Sequence, residues 1–286
     1  MTRRRATLIG GIAILLWSSL ALFSVGAAPV PPFQLNALCF AVGAGVGLGW
    51  MWAGGRRVRL PRLAPRVWAL GVVGLFGYHA LYFTALRNAP PAAAGLIAYL
   101  WPLLIVIFSG FLPGERLRWP HLAGATVSLI GVAVLLGGGD TLGAGNALGY
   151  AAAFACALFW SGYSVLSRRV GDVPTDCVML FCAATALLSV PFHLAFEETA
   201  WPVGAAGWLS VLALGLGPVG LAFYVWDVGV KRGDIQLLGV LSYAAPLLST
   251  LLLILTGVAA AEESLALAAL LVVCGAALAA WGSARR

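Results

Sequence analysis

The sequence predicts an all-α polytopic membrane protein: ten transmembrane helices, arranged as two inverted five-helix repeats around a central cavity. Three observations predict it. The 286 residues are 62% hydrophobic and only 9% charged, with a mean hydropathy of +0.97, whereas a soluble domain is about one-quarter charged. Apolar runs of about 20 residues, each enough to cross ~30 Å of hydrocarbon, recur from end to end. Finally, "AYLWPLL" at 98–104 returns as "SYAAPLL" at 242–248, with Tyr, Pro, Leu and Leu in register at an offset of 144.

Taken in order, the predicted spans are 6–26, 33–53, 66–86, 91–112, 119–137, 146–167, 176–196, 207–229, 234–257 and 263–283. Helix is the required form, because in lipid every backbone donor and acceptor must be satisfied within the segment or by a closed sheet. These runs are about twice the length of barrel strands. The opening "MTRRRATLIGGIAILLWSSLALFSVGAAP" has the basic start and small-residue ending of a secretory signal. Yet "LLWSSLALFS" (15–24) returns as "LFWSGYSVLS" (158–167), placing Trp17 on Trp160 and Ser18 on Ser161. The first span is therefore the partner of the sixth and is expected in the mature fold.

The net charge of +7 reads as topology rather than nucleic-acid binding, since the basic residues sit between apolar spans. Cytoplasmic loops carry the excess of Lys and Arg. With the N-terminus inside, Arg3, Arg4, Arg5, Arg56, Arg57, Arg59, Arg62, Arg66, Arg116, Arg118, Arg168, Arg169, Lys231, Arg232, Arg285 and Arg286 all fall on the inner face. Only Arg87 falls outside. The outer loops hold Asp140, Glu197, Glu198, Glu262 and Glu263. Both termini are thus expected in the cytoplasm, in a bacterial inner membrane. A unit of five spans is odd, so the second copy must enter from the opposite side. Arg87 aligns with Lys231 on opposite faces, which accounts for the one exception. The repeats are residues 1–140 and 141–286.

Inverted repeats are a device of secondary transporters, in which two related halves surround a midplane site. Competing chemistries lack their motifs. No GxxxxGK[ST] cradles a phosphate; the run "GGGD" at 137–140 has no following lysine. No GxSxG supplies a nucleophile. His79, His121 and His193 form no HExxH pair, and no TVGYG filter occurs. Cys39, Cys156, Cys177, Cys182 and Cys274 lie in apolar spans without CxxC spacing, so they read as small buried hydrophobes. The chain is not expected to be an enzyme, nor to hold a cofactor or metal.

The ten-span layout, the Trp-Ser pairs at 17–18 and 160–161, the mid-helix prolines and Gly114-Glu115 after the fourth span resemble the EamA-type drug/metabolite transporters. The resemblance covers essentially the whole chain, and within that superfamily it is strongest to the aromatic amino acid exporters. It implies ten helices, a central cavity and export of aromatic and other neutral amino acids. In the second half the acidic pair Glu262 and Glu263 sits about three residues late relative to Glu115. A multidrug or other metabolite exporter, and less readily a channel, are the alternatives. The expected partners are a small-molecule substrate and membrane lipid, without nucleic acid, in a monomer.

The candidate substrate residues follow from aromatic side chains inside spans rather than at their ends. "GYHALYF" places Tyr78, His79 and Tyr82 within about one helical turn, since i, i+3 and i+4 share a face. Gly95, Tyr99 and Pro102 share a face of the fourth span, with Trp101 beside them; Gly239, Tyr243 and Pro246 share the equivalent face of the ninth. Each proline removes a helical hydrogen bond and crowds the carbonyl four residues earlier, so Pro102, Pro246, Gly95 and Gly239 are candidate hinges. Trp17 and Trp160, with Tyr163 one turn on, offer indole and phenol faces in mid-membrane. Tyr224 and Trp226 are weaker candidates. Intramembrane ionisable groups are usually functional: His79 and Asp227 are the candidates for proton coupling, although Asp227 is placed to pair with Lys231 four residues on. The repeated glycines Gly43/Gly47, Gly45/Gly49 and Gly71/Gly74/Gly77 read as helix contacts.

Overall fold

The computed structural model describes residues 1–53, 63–136, 146–170, 173–260 and 263–284. Among them the chain forms ten helical spans: α1 (Arg3–Gly26), α2 (Pro32–Ala53), α3 (Pro65–Asn88), α4 (Pro91–Ala98 and Trp101–Ser109), α5 (Trp119–Leu135), α6 (Ala147–Arg169), α7 (Thr175–Phe196), α8 (Gly204–Arg232), α9 (Ile235–Leu255) and α10 (Ser264–Ala284). Eight are long and apolar enough to cross a membrane, and α4 and α5 are shorter apolar helices. The fourth span stops at Ser109 rather than 112, before a turn in which Gly114 takes a positive φ of 79°, a conformation glycine adopts without steric cost. The sidedness assigned to Arg56, Arg57, Arg59, Arg62, Asp140, Glu262, Arg285 and Arg286 falls outside the described residues.

Large apolar side chains such as Leu255, Phe111, Leu187 and Leu194 point outward and stay exposed, as suits a surface solvated by acyl chains. Lipid tails are as apolar as leucine, so close van der Waals packing must hold the helices together. Small residues supply it. A Cβ on Gly10 of α1 would meet the Gly229 Cα of α8 at 2.8 Å. At offsets of 143 and 144 these positions correspond to Ala153 and Ala85, which pack together between α6 and α3. Of the glycine stripes on α2, Gly43 and Gly47 press against Gly220, Met179 and Tyr224, whereas Gly45 and Gly49 face open space. One stripe is a contact face and the other is not, because a helix turns only one side to its neighbours. Gly71, Gly74 and Gly77 receive Phe181, Tyr163 and Phe159, as their spacing predicts.

The helices pack as α5 on α10, α2 on α7, α1 on α8 and α9, and α6 on α3 and α4. The C-terminal half of α4 packs on the N-terminal half of α9. The N-terminal half of α4 lies instead on α3 and α6, and the C-terminal half of α9 on α1 and α10. The two helices therefore meet at one end of the bundle and part toward the other.

Several helices are interrupted. In α4, residues Tyr99 and Leu100 form a turn, and Pro102 opens the second half-helix; in α9 the break falls at Ser242–Tyr243, ahead of Pro246. A proline in the first turn of a half-helix lacks an N–H that would be unsatisfied anyway. A π-helical turn occupies Val73–Gly77 in α3 and another Gly217–Leu221 in α8, at the same offset of 144. Such turns insert a residue into the hydrogen-bond ladder, and the periodicity of the sequence did not reveal them. In α1 the helix bends at Ser19, where Ser18 and Ser19 donate to Leu15 O and Leu16 O, a local competitor of the helix ladder.

Candidate substrate site

Four tryptophans meet in the middle of the bundle. Trp17 on α1 lies 5.1 Å from Trp226 on α8, 5.7 Å from Trp160 on α6 and 6.2 Å from Trp101 on α4, centroid to centroid. Trp160 and Trp226 stack at 6.3 Å, and Phe223 lies against Trp160 at 5.6 Å. These separations fall in the range where edge-to-face and offset contacts between rings are favourable. The indoles are also anchored through their polar handles. Trp17 Nε1 donates to Pro218 O at 3.1 Å, a carbonyl of the α8 π-turn, and Trp226 Nε1 donates to Ser164 Oγ at 3.0 Å. Trp226 is wholly buried. It stands among the weaker candidates in the sequence, and only the packing puts its ring at the centre.

A second group lies beside this cluster. Tyr78 and Tyr82 stack in parallel at 6.1 Å, and Tyr78 contacts Trp160 at 5.5 Å. The predicted residues divide into a buried set, Trp101, Trp160, Tyr163 and Tyr243, and a partly open set, Trp17, Tyr78, His79, Tyr82 and Tyr99. Tyr163 packs on Trp160 at 5.4 Å. Tyr243 faces α4, where its hydroxyl accepts the Leu103 N–H.

The candidate hinges differ between halves. Gly239 packs against Pro102 O, Val106 and Ile105, whereas a Cβ on Gly95 would reach only Leu136, at 3.9 Å. His79 bonds Leu75 O through Nδ1 at 2.7 Å and turns its ring against Phe40 at 5.0 Å. Asp227 is ion-paired with Lys231 at 2.9 Å and accepts from Thr175 Oγ1 at 2.7 Å. Among the described residues no group of three or more His, Cys, Asp or Glu side chains is placed to hold a metal.

Two buried carboxylates organise the ends of the bundle, and neither stood among the predicted site residues. Glu115, in the α4–α5 connection, pairs with Arg3 of α1 and Arg168 of α6, each at 3.0 Å. Arg3 also reaches Asp234 at the start of α9, at 3.5 Å. At the other end Glu197 accepts the Phe33 and Gln34 backbone N–H groups that begin α2, and pairs with Arg87 at 2.9 Å and His193 at 3.0 Å. An anion at a helix N-terminus meets both unpaired donors and the positive end of the helix dipole. The signal for Glu115 was its Gly-Glu dipeptide, and for Glu197 its place as an acidic residue at a span end.

The model of the EamA-like transporter family matches the chain twice, over residues 5–137 and 147–281. The chain is 57% identical over 282 residues, 98% of each chain, to the aromatic amino acid exporter YddG of Ancylobacter novellus. It is 27% identical over the full length of both chains to the aromatic amino acid exporter YddG of Escherichia coli. A solved crystal structure 57% identical in sequence superposes with a TM-score of 0.93, covering 97% of this chain and 98% of that one.

Proposed function

This chain belongs to the EamA-like transporter family, and from that premise we propose that it exports aromatic and other neutral amino acids across the bacterial inner membrane by alternating access. The observation that carries this reading is the aromatic site itself. A floor of four packed indoles closes the inner side, and the partly open rings of Tyr78, Tyr82 and Tyr99 stand beside it. Such a surface suits an aromatic side chain by stacking. The full-length similarity to exporters named for aromatic amino acids supports the same substrate class.

The inverted repeat supplies the motion. The double match of the family model, the π-turns at matching positions, and the Gly10–Gly229 contact with its counterparts Ala85 and Ala153 in one buried cluster support two copies of one unit. In such transporters each half adopts in turn the conformation of the other. Here the halves differ: α1 is bent at Ser19 while α6 runs unbroken, and α4 and α9 touch in their inner halves and diverge beyond. This difference supports a cavity open to the outer side with both termini in the cytoplasm. Arg and Lys are missing from the middle of the spans, so helix ends and main-chain amides are left to hold the substrate's charged groups.

Reconstitution in proteoliposomes tests the reading: labelled Phe or Trp is expected to cross faster than in protein-free vesicles and to saturate. Flux no faster than in protein-free vesicles overturns the substrate assignment. Competition by cationic drugs instead of amino acids moves the chain to drug export.

A further inference from the structure

We infer that Glu115, clamped between Arg3 and Arg168, is the cytoplasmic gate of this transporter and biases its resting state toward the outward-open form. The inference rests on the alternating-access reading above and adds to it a named gate and a direction.

The packing defines two groups of helices. One is α1 with α8 and α9; the other is α6 with α3 and α4. Any opening to the cytoplasm must separate their inner ends. Glu115 follows α4 and takes one guanidinium from each group, Arg3 from α1 and Arg168 from α6. Arg168 donates in addition to Gly233 O at 3.1 Å, just before α9, and the Asp234 N–H donates to Thr7 Oγ1 at 2.8 Å. The carboxylate side chain is only 3% exposed, with Arg168 at 20% and Arg3 at 42%, so solvent screens the Arg168 arm less than the Arg3 arm. Breaking one partner of a buried pair leaves an uncompensated charge, and that cost resists opening.

Among the described residues the clamp is one-sided. At an offset of 144 the residue corresponding to Glu115 is Ala259, which carries no charge; of the acidic pair three residues further on, Glu263 is exposed and Glu262 lies outside the described residues. The outer carboxylate Glu197 does not replace it. Its partners Arg87, His193 and the start of α2 tie α3 to α2 and α7, and none of them lies in the α1–α8–α9 group. A duplicated scaffold with identical halves would favour both openings equally. An ionic clamp that, among the described residues, joins the two groups on one face alone shifts that balance, because a two-state equilibrium moves by whatever interaction is present in one state only.

Hydrogen exchange on the full-length protein without substrate tests the gate, comparing wild type with Glu115→Gln and Glu115→Asp. In Glu115→Gln, exchange at residues 3–10 and 235–241 is expected to rise about tenfold, with residues 32–40 and 189–196 unchanged; Glu115→Asp is expected to restore most of the protection. Local opening free energies are read directly by this measurement. In flux assays apparent affinity should weaken from the outer side and tighten from the cytoplasmic side, since it scales with the population of the competent state. Unchanged exchange at the inner ends overturns the proposal, as does a rise spread equally over both faces. Should Glu115→Gln fail to fold, Arg3→Gln, which alters the more exposed partner, is expected to give a smaller rise at the same inner segments, and no rise there overturns the gate. Absence of amino acid flux in the wild type would sink the substrate reading while leaving the exchange test intact.

Discussion

The hydroxyl of Tyr243, on α9, accepts the backbone N–H of Leu103, on α4, at 3.2 Å. Leu103 follows Pro102 at the start of a half-helix, where the first N–H groups have no intrahelical carbonyl. One half of the molecule therefore satisfies a donor that the proline break has freed in the other half. Tyr243→Phe keeps the ring and removes the acceptor. The expected loss is about 1 kcal/mol, the scale of a hydrogen bond between membrane helices and of an orphaned buried donor. Thermal unfolding in detergent measures it, and an unchanged midpoint would show that another acceptor takes over.

Tyr78 and Tyr82 should set affinity. Their rings stack on α3, and Tyr78 touches Trp160. Replacing Tyr82 by Leu removes one aromatic surface worth about 0.5–1.5 kcal/mol. Apparent affinity for Phe and Trp is expected to weaken roughly twofold to tenfold on that scale, with a smaller effect for an aliphatic amino acid. Equal loss for aromatic and aliphatic substrates would remove stacking as the cause.

Glu197 is expected to be structural. It closes the first turn of α2 and pairs with Arg87 and His193 while only 2% of its side chain is exposed. Glu197→Ala strands two backbone donors and a buried imidazole, at a cost on the order of 3 kcal/mol. Arg87 is 44% exposed, so Arg87→Ala should cost well under 1 kcal/mol. Comparing the two melting points separates cap from ion pair.

Asp227 and Lys231 form a buried pair whose partners can be removed together. Replacing both with neutral residues of similar size is often nearly neutral, whereas removing one is strongly destabilising. Asp227→Asn is therefore expected to lower folded yield and flux, and Asp227→Asn with Lys231→Met to restore them. Restored flux that has lost its response to a pH gradient would assign Asp227 to proton coupling.

His79 is the other coupling candidate. If His79 carries the protons, His79→Ala abolishes any stimulation of export by a pH gradient, measured in the same vesicles. Unchanged stimulation removes His79 from that role and leaves its ring as packing against Phe40.

Much of the fold was legible because membrane insertion is a local problem. Each span has to satisfy its own backbone and present apolar side chains to lipid, so length, hydropathy and proline position suffice to locate it. The breaks before Pro102 and Pro246 and the Asp227–Lys231 pair, four residues apart on one helix, are local in the same sense. The site was legible only in part. Trp17, Trp101 and Trp160 stood out as indoles within spans, but Trp226 joins them because α8 crosses α1 at Gly10 and Gly229. The π-turns leave no periodic signature, since each shifts the ladder by one residue and then returns to it.

The sequence by itself determined a polytopic helical chain, where its ten spans lie and where α4 and α9 break. Only the tertiary structure decided that Tyr243 is buried and bonds α4 while Tyr99 stays partly exposed, and that Glu115 and Glu197 are buried among partners more than 80 residues away in some cases and four in another. The physical reason is that "AYLWPLL" and "SYAAPLL" share local forces but not neighbours. Nearly equal strings take different contacts when the helices around them are closed on one side and parted on the other.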